Sequence, residues 1–201
     1  MLWSRLPLPD ADVRYCRAWL DALAADALFA QLLAHVPWET HRIPLFGRLV
    51  DSPRLSCWIG DAGAAYTYSG TRFQPHPWPA ALGDVRARLS EELATPFNSV
   101  LANLYRDGRD SMGWHSDSER ELGEAPLIAS LSLGASRRFL LKARAGGERI
   151  AQILAHGDLL VMGGQTQTHY RHALPRTARP LGPRINLTFR RILSAVEPEK
   201  R

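Results

Sequence analysis

Three polar clusters, far apart along the chain, carry residue types that could work together on a metal. Residues 113–119, Gly-Trp-His-Ser-Asp-Ser-Glu, set His115 and Asp117 two positions apart, with a second carboxylate, Glu119, two further on. Residues 168–175, Thr-His-Tyr-Arg-His-Ala-Leu-Pro, hold His169 and His172. His115, Asp117 and one later histidine make two imidazoles and one carboxylate, a set that grips Fe(II) on one face and leaves positions open. Zinc could use the same three ligands. The third cluster is a strand pattern near the C-terminus. Side chains alternate along a strand, so Arg184, Asn186, Thr188 and Arg190 project to one face and Ile185, Leu187 and Phe189 to the other. Residues 98–105 repeat the arrangement, with Asn103 and Tyr105 opposite Ala102 and Leu104. For either strand alone, a polar face that merely meets water is the plain alternative. Together they would make a receptor for a small dicarboxylate, because guanidinium forks grip carboxylates through paired hydrogen bonds. That receptor favours iron: a 2-oxo acid would chelate the metal through its keto and adjacent carboxylate oxygens, and a distant arginine would hold its far end.

These residues need a scaffold of short strands. The segments 98–105, 127–133, 137–142, 158–163 and 184–192 are rich in β-formers or alternating, and each is bounded by Gly, Pro or Asp. Two helices are predicted before them. One covers residues 10–33, where Val13, Cys16, Trp19, Leu20 and Leu23 follow a capping-type Asp at helical spacing; the other covers 79–94, opened by Pro79. The expected class is α+β: a β-sandwich or jelly roll with the N-terminal helices packed outside. The expected organisation is one domain over 1–201, with the helices in 1–97 and most of the strands in 98–192.

The 201 residues suffice for a substantial core, and no apolar run approaches the length of a membrane span. No secretory pattern opens the chain, and Cys16 and Cys57 are too few for a disulfide framework, so a cytoplasmic protein is expected. The net charge of +5 suits a polyanionic partner. Only two of its 25 basic residues are lysines, so the charge also fits an arginine-rich coding bias.

The motifs FNSVLANLYRDG, WHSDSE, IASLSLGASRRF, HGDLLVMGG, THYRHALP and PRINLTFRRI stand in this order between residues 97 and 192. They resemble the AlkB-like Fe(II)/2-oxoglutarate-dependent dioxygenases that repair alkylated nucleic acids, most closely the eukaryotic-type DNA-repair branch. Upstream, IPLFG, SPR and AAYTYSG resemble that branch's nucleotide-recognition lid, so the resemblance implies a double-stranded β-helix (jelly roll) with helices and the lid in 1–97 and the catalytic core in 98–192. The resemblance implies that His115, Asp117 and His172 bind iron, His172 being the histidine three residues before the proline. It implies that Asn103, Tyr105, Arg184, Asn186 and Arg190 surround 2-oxoglutarate. Arg184 would pair with the distal carboxylate, assisted by the Tyr105 hydroxyl, and Arg190 would steady Asp117 or the near carboxylate. The cofactor set is then Fe(II), with 2-oxoglutarate and O2 as cosubstrates. The implied reaction is oxidative demethylation of 1-methyladenine and 3-methylcytosine, releasing formaldehyde, succinate and CO2.

Methylation at these ring nitrogens makes the base cationic, so Glu119 near the metal would favour the lesion over the neutral base. Tyr66, Tyr68 and Ser69 would shape the base pocket. A methylated Watson–Crick edge is inaccessible in a duplex, so Phe46, at the tip of a hairpin ending in Arg48, would fill the gap left by a flipped base. Arg54, Arg72, Arg137, Arg138 and Arg144 are candidate phosphate contacts. Expected partners are single- or double-stranded alkylated DNA, with RNA as the alternative substrate; no membrane is expected, and the protein is expected to be monomeric. A non-catalytic nucleic-acid-binding module and a zinc hydrolase are the competing classes.

Overall fold

Two antiparallel sheets face each other, and most of their strands begin or end where the sequence places Gly, Pro or Asp. The computed structural model describes residues 2–45, 48–64, 66–68, 71–147 and 149–193. In chain order the first half comprises β1 (Trp3–Arg5), β2 (Asp12–Cys16), α1 (Ala22–His35), β3 (Arg42–Leu45), β4 (Arg48–Asp51), β5 (Leu55–Gly60), β6 (Tyr66–Tyr68), β7 (Thr71–Phe73) and α2 (Ala80–Glu92). The second half comprises β8 (Ser99–Tyr105), β9 (Met112–His115), β10 (Ile128–Gly134), β11 (Arg137–Ala143), β12 (Arg149–Leu154), β13 (Leu159–Gly163), α3 (Thr166–His169), β14 (Tyr170–Leu174) and β15 (Arg184–Arg190).

The larger sheet runs β1-β2-β13-β10-β15-β8-β5 and the smaller one β12-β11-β14-β9. The pairs β3-β4 and β6-β7 are separate hairpins. This is the jelly roll expected, with α1 and α2 outside.

Each sheet face has its own apolar layer. On the helix side Ile185, Leu187 and Phe189 of β15 join Val100, Ala102, Leu131 and Leu133, against Leu28 and Leu32 of α1 and Leu82, Val85 and Leu89 of α2. Between the sheets Val13, Ile128, Leu160 and Met162 meet Phe139, Leu141 and Leu154 of the smaller sheet. Each of these side chains larger than alanine contributes roughly 1.5–3 kcal/mol on burial. β15 therefore spends its odd positions on the core, leaving Arg184, Asn186, Thr188 and Arg190 facing into the sandwich.

The helix predicted over 10–33 is corrected. Residues 12–16 are a strand, paired with β13 from Leu159↔Cys16 to Gly163↔Asp12. Val13 and Cys16, three apart, would share a helix face; in the strand they part, Val13 to the inter-sheet layer and Cys16 to the helix side. The helix proper begins at Ala22, capped by Asp21, whose carboxylate accepts from the Ala24 N–H at 2.9 Å. Asp10 instead has φ 54°, in the left-handed region. The second helix matches its predicted bounds closely, as do β8, β10, β11, β13 and β15. The strands β5, β9, β12 and β14 were not anticipated.

Candidate active site

The inward faces of β8 and β15 meet the inward faces of β9 and β14, and one pocket lies between them. Its lining includes Asn103 and Tyr105 from β8, His115 from β9, His172 from β14, Arg184, Asn186, Thr188 and Arg190 from β15, and Asp117 from the loop after β9. Register explains the meeting. Arg184 lies opposite Tyr105 and Asn186 opposite Asn103 in the larger sheet, while His172 lies opposite His115 in the smaller one.

At one end, His115, Asp117 and His172 bring ligand atoms within 4.8 Å of one another. The Nε2 atoms of His115 and His172 lie 3.8 and 3.9 Å from separate oxygens of Asp117, too far for hydrogen bonds. His115 donates its Nδ1 proton to the Gly113 carbonyl at 2.9 Å, which leaves Nε2 with a lone pair facing Asp117. The Phe139 ring stacks on His172 with centroids 5.3 Å apart. His169, the other candidate histidine, is exposed at the end of α3.

The protonation states suit a cation. Burial drives His172 down to about 3 and also lowers His115, so both imidazoles are neutral at pH 7. Burial alone would raise the Asp117 carboxyl, but Arg190 and the two imidazoles outweigh it and hold it at about 2. Arg190, buried alongside, donates to Asp117 Oδ1 at 3.0 Å. Two neutral nitrogens and one anionic oxygen form the donor set that an Fe(II) with open positions takes, so the residues present fit the metal.

At the other end sits Arg184, 2% exposed. Its Nη2 donates to the Ser132 hydroxyl at 2.9 Å, but its Nε has no partner, and among the described residues no carboxylate pairs with it. Burial and the neighbouring Arg137 pull it down to about 10, so it remains cationic at neutral pH. A buried cation without an anion is costly, and the carboxylate of a 2-oxo acid would supply the anion that a guanidinium fork grips. The Tyr105 ring lies between Arg184 and Arg137, at 5.3 and 5.8 Å from their guanidinium carbons. Its contact with Arg184 is thus through the ring face.

Some participants carried no sequence signal as site residues. Arg54, expected at a phosphate, is buried and donates from Nε to Asn103 Oδ1 at 2.8 Å. Arg137, also expected at a phosphate, is buried and holds the carbonyls of Asp107, Asp110 and Pro175. Gln167 accepts from the Asp117 N–H at 2.9 Å, tying the loop to α3. Ser130 accepts from the Asn186 amide at 2.8 Å. Short polar residues next to apolar strand positions gave no pattern by which to single them out.

Of the residues expected to contact the substrate, Glu119 and Arg48 are described in full, and Tyr66 and Tyr68 by backbone alone. Glu119 is half-buried before a single 3-10 turn, Arg120–Leu122, and is not in the pocket lining. Arg48 is exposed opposite Leu45 in the β3-β4 hairpin. Tyr66 and Tyr68 lie on β6, paired with Phe73 and Thr71. Phe46 and Ser69 fall outside the described residues.

The profile of the 2OG-Fe(II) oxygenase superfamily matches residues 12–190. The chain is a 2OG-Fe(II) oxygenase. As a dioxygenase of this family it works with Fe(II), 2-oxoglutarate and O2. It is 42% identical over 180 residues to the DNA oxidative demethylase ALKBH2 of Mus musculus, an alignment covering 84% of this chain and 75% of the relative. It is 38% identical over 199 residues to the alpha-ketoglutarate-dependent dioxygenase alkB homolog 3 of Bos taurus, covering 94% and 69%. The solved structure of OsALKBH1 shares the fold, with a TM-score of 0.65 at 18% identity, over 94% of this oxygenase and all of that chain. Among the described residues no helix of the oxygenase is long and apolar enough to cross a membrane.

Proposed function

We propose that this oxygenase is an oxidative demethylase of alkylated DNA, acting on N-methylated bases such as 1-methyladenine and 3-methylcytosine. The observation that carries the reading is one pocket with a neutral-imidazole and carboxylate donor set at one end and an unpaired buried arginine at the other. Relatives named as DNA oxidative demethylases, similar over most of the chain, supply the substrate class.

In this reading His115, Asp117 and His172 hold iron, and Asn103, Tyr105, Arg184, Asn186 and Arg190 hold 2-oxoglutarate. When bound, Fe(II) with 2-oxoglutarate and O2 supplies the oxidation that turns an N-methyl group into N-hydroxymethyl, which leaves as formaldehyde beside succinate and CO2. The protein orients and neutralises. Arg190 fixes the Asp117 carboxylate through Oδ1, and Gln167 fixes its backbone. Arg54 occupies the oxygen of the Asn103 amide, so the amide N–H group is the end left for an acceptor. Glu119, beside the metal loop, favours a cationic base. Tyr66, Tyr68 and Ser69 form the base pocket, and Phe46 and Arg48 serve the opening of a duplex.

The test incubates the protein with Fe(II), ascorbate, 2-oxoglutarate and oligonucleotides carrying either lesion, single- and double-stranded, with mass as readout. Loss of one methylene mass per lesion is expected. Unchanged lesions in every DNA, with the metal loaded, would sink the reading, and repair confined to RNA would redirect it.

A further inference from the structure

The outer face of the smaller sheet carries a row of cations that the demethylation chemistry does not use. β11 turns Phe139 and Leu141 into the sandwich, so Lys142 falls on the opposite face. In register, Lys142 lies opposite Arg149 of β12 on one side and Arg171 of β14 on the other. β14 places His172 opposite the inward-facing His115 of β9, and Trp114, the preceding residue, is therefore on the outer side. Trp114, Lys142, Ala143, Arg144 and Arg171 line one cleft of about 210 Å³.

Trp114 is 38% exposed, and the Arg149 guanidinium carbon lies 5.7 Å from its ring centroid. Arg144 donates to the Ser116 hydroxyl. Among the described residues no carboxylate pairs with Lys142, Arg144, Arg149 or Arg171. Like charges directly opposite one another in a sheet are destabilising. Here three stand on neighbouring strands roughly 5 Å apart, with no acid between them among the described residues. A polyanion would relieve that repulsion, and an exposed indole at the end of the row adds a flat face for stacking.

We propose that this face binds the nucleotides flanking the reacting base of a single DNA strand. Phosphates run along Arg149, Lys142 and Arg171, and one base stacks on Trp114. Cations beside an aromatic platform are the means by which single strands are held without sequence preference. A duplex keeps its base faces stacked and offers Trp114 nothing. The inference rests on the demethylase reading in one respect: the strand is the one whose damaged base enters at His115, the residue after Trp114.

The test uses the full chain loaded with Mn(II) and 2-oxoglutarate and an unmethylated, fluorescein-labelled oligothymidylate, with anisotropy followed at several salt concentrations. Trp114→Ala is expected to weaken binding about tenfold while Trp114→Phe keeps most of it. The pair Lys142→Ser/Arg149→Ser should reduce the slope of log affinity against log salt by about 1.4. Mn(II) affinity should be unchanged in that pair, and a duplex of equal length should be indifferent to Trp114→Ala. Wild-type affinity and slope in both variants would overturn the proposal, as would an equal loss on duplex for Trp114→Ala. Binding as expected without repair of methylated DNA would remove the demethylase reading and leave the surface standing; repair with undiminished binding in the variants would do the reverse.

Discussion

His172 and Asp117 are tuned as a metal site requires, and that tuning has a cost for the metal-free protein. The folded pKa of His172 is lowered to about 3 by burial, against the 6.5 of an ordinary histidine. Below pH 6.5 the unfolded chain therefore binds a proton that the folded one refuses, and stability falls by roughly 1.4 kcal/mol per pH unit until about pH 3. His115, lowered in the same direction, adds to the slope from the same starting point. Asp117, held at about 2 against 3.8, adds a further loss only as pH drops below 3.8. Thermal melts of the metal-free protein should thus be flat above pH 7 and fall between pH 6.5 and 4, and His172→Gln should flatten that fall. A melt curve as steep in the variant would show that the acid sensitivity lies elsewhere. Arg184 makes a second prediction at this scale. Lysine keeps the charge but loses the planar fork, so Arg184→Lys should raise the KM for 2-oxoglutarate about tenfold or more with Mn(II) affinity unchanged. An unaltered KM would remove Arg184 from the cosubstrate's site.

At the level of elements, what the sequence showed and hid follows from period and distance. β15 and β8 were readable with their faces because alternation over seven residues is a local signal, and the arginine and amide half of the site came with them. The segment 12–16 was misread because Val13, Cys16, Trp19 and Leu20 are buried by two different layers, which mimics helical spacing. What decides for the strand is distant. β13 supplies its hydrogen bonds, and Asp158, buried at the head of β13, accepts from the Tyr15 hydroxyl at 2.7 Å and the N–H groups of Ala18 and Ala155 at 2.9 and 2.8 Å. Arg54, expected at a phosphate, and Gln167 could not be placed beside the pocket for the same reason, each reaching its partner across 49 or 50 residues. Asp158→Ala should cost at least about 3 kcal/mol, since three donors lose a charged acceptor. Asp21→Ala, which removes only the cap of α1, should cost about 1 kcal/mol. Denaturant melts giving the two variants equal losses would contradict the anchoring of β2 through Asp158.

Across the whole molecule, the candidate pocket bridges the two sheets. His115 and His172 belong to the smaller sheet, while Arg184 and Arg190 belong to β15, an inner strand of the larger one. Asp117 connects them, since its oxygens face both imidazoles and its Oδ1 is held by Arg190. Ligands taken up here bind only the folded chain, so each stabilises it by mass action, about 2.7 kcal/mol at a hundredfold excess over Kd. For a chain of this size that corresponds to a rise in Tm of roughly 5–10 °C. Mn(II), added without O2, should therefore raise the Tm, and 2-oxoglutarate should raise it again only when metal is present. The two increments can be separated by position: Asp117→Asn should abolish both, whereas Arg184→Gln should keep the Mn(II) increment and lose most of that from 2-oxoglutarate. A 2-oxoglutarate increment that survives Arg184→Gln, or one that appears without metal, would mean that the cosubstrate does not span the pocket from the donor set to the buried arginine.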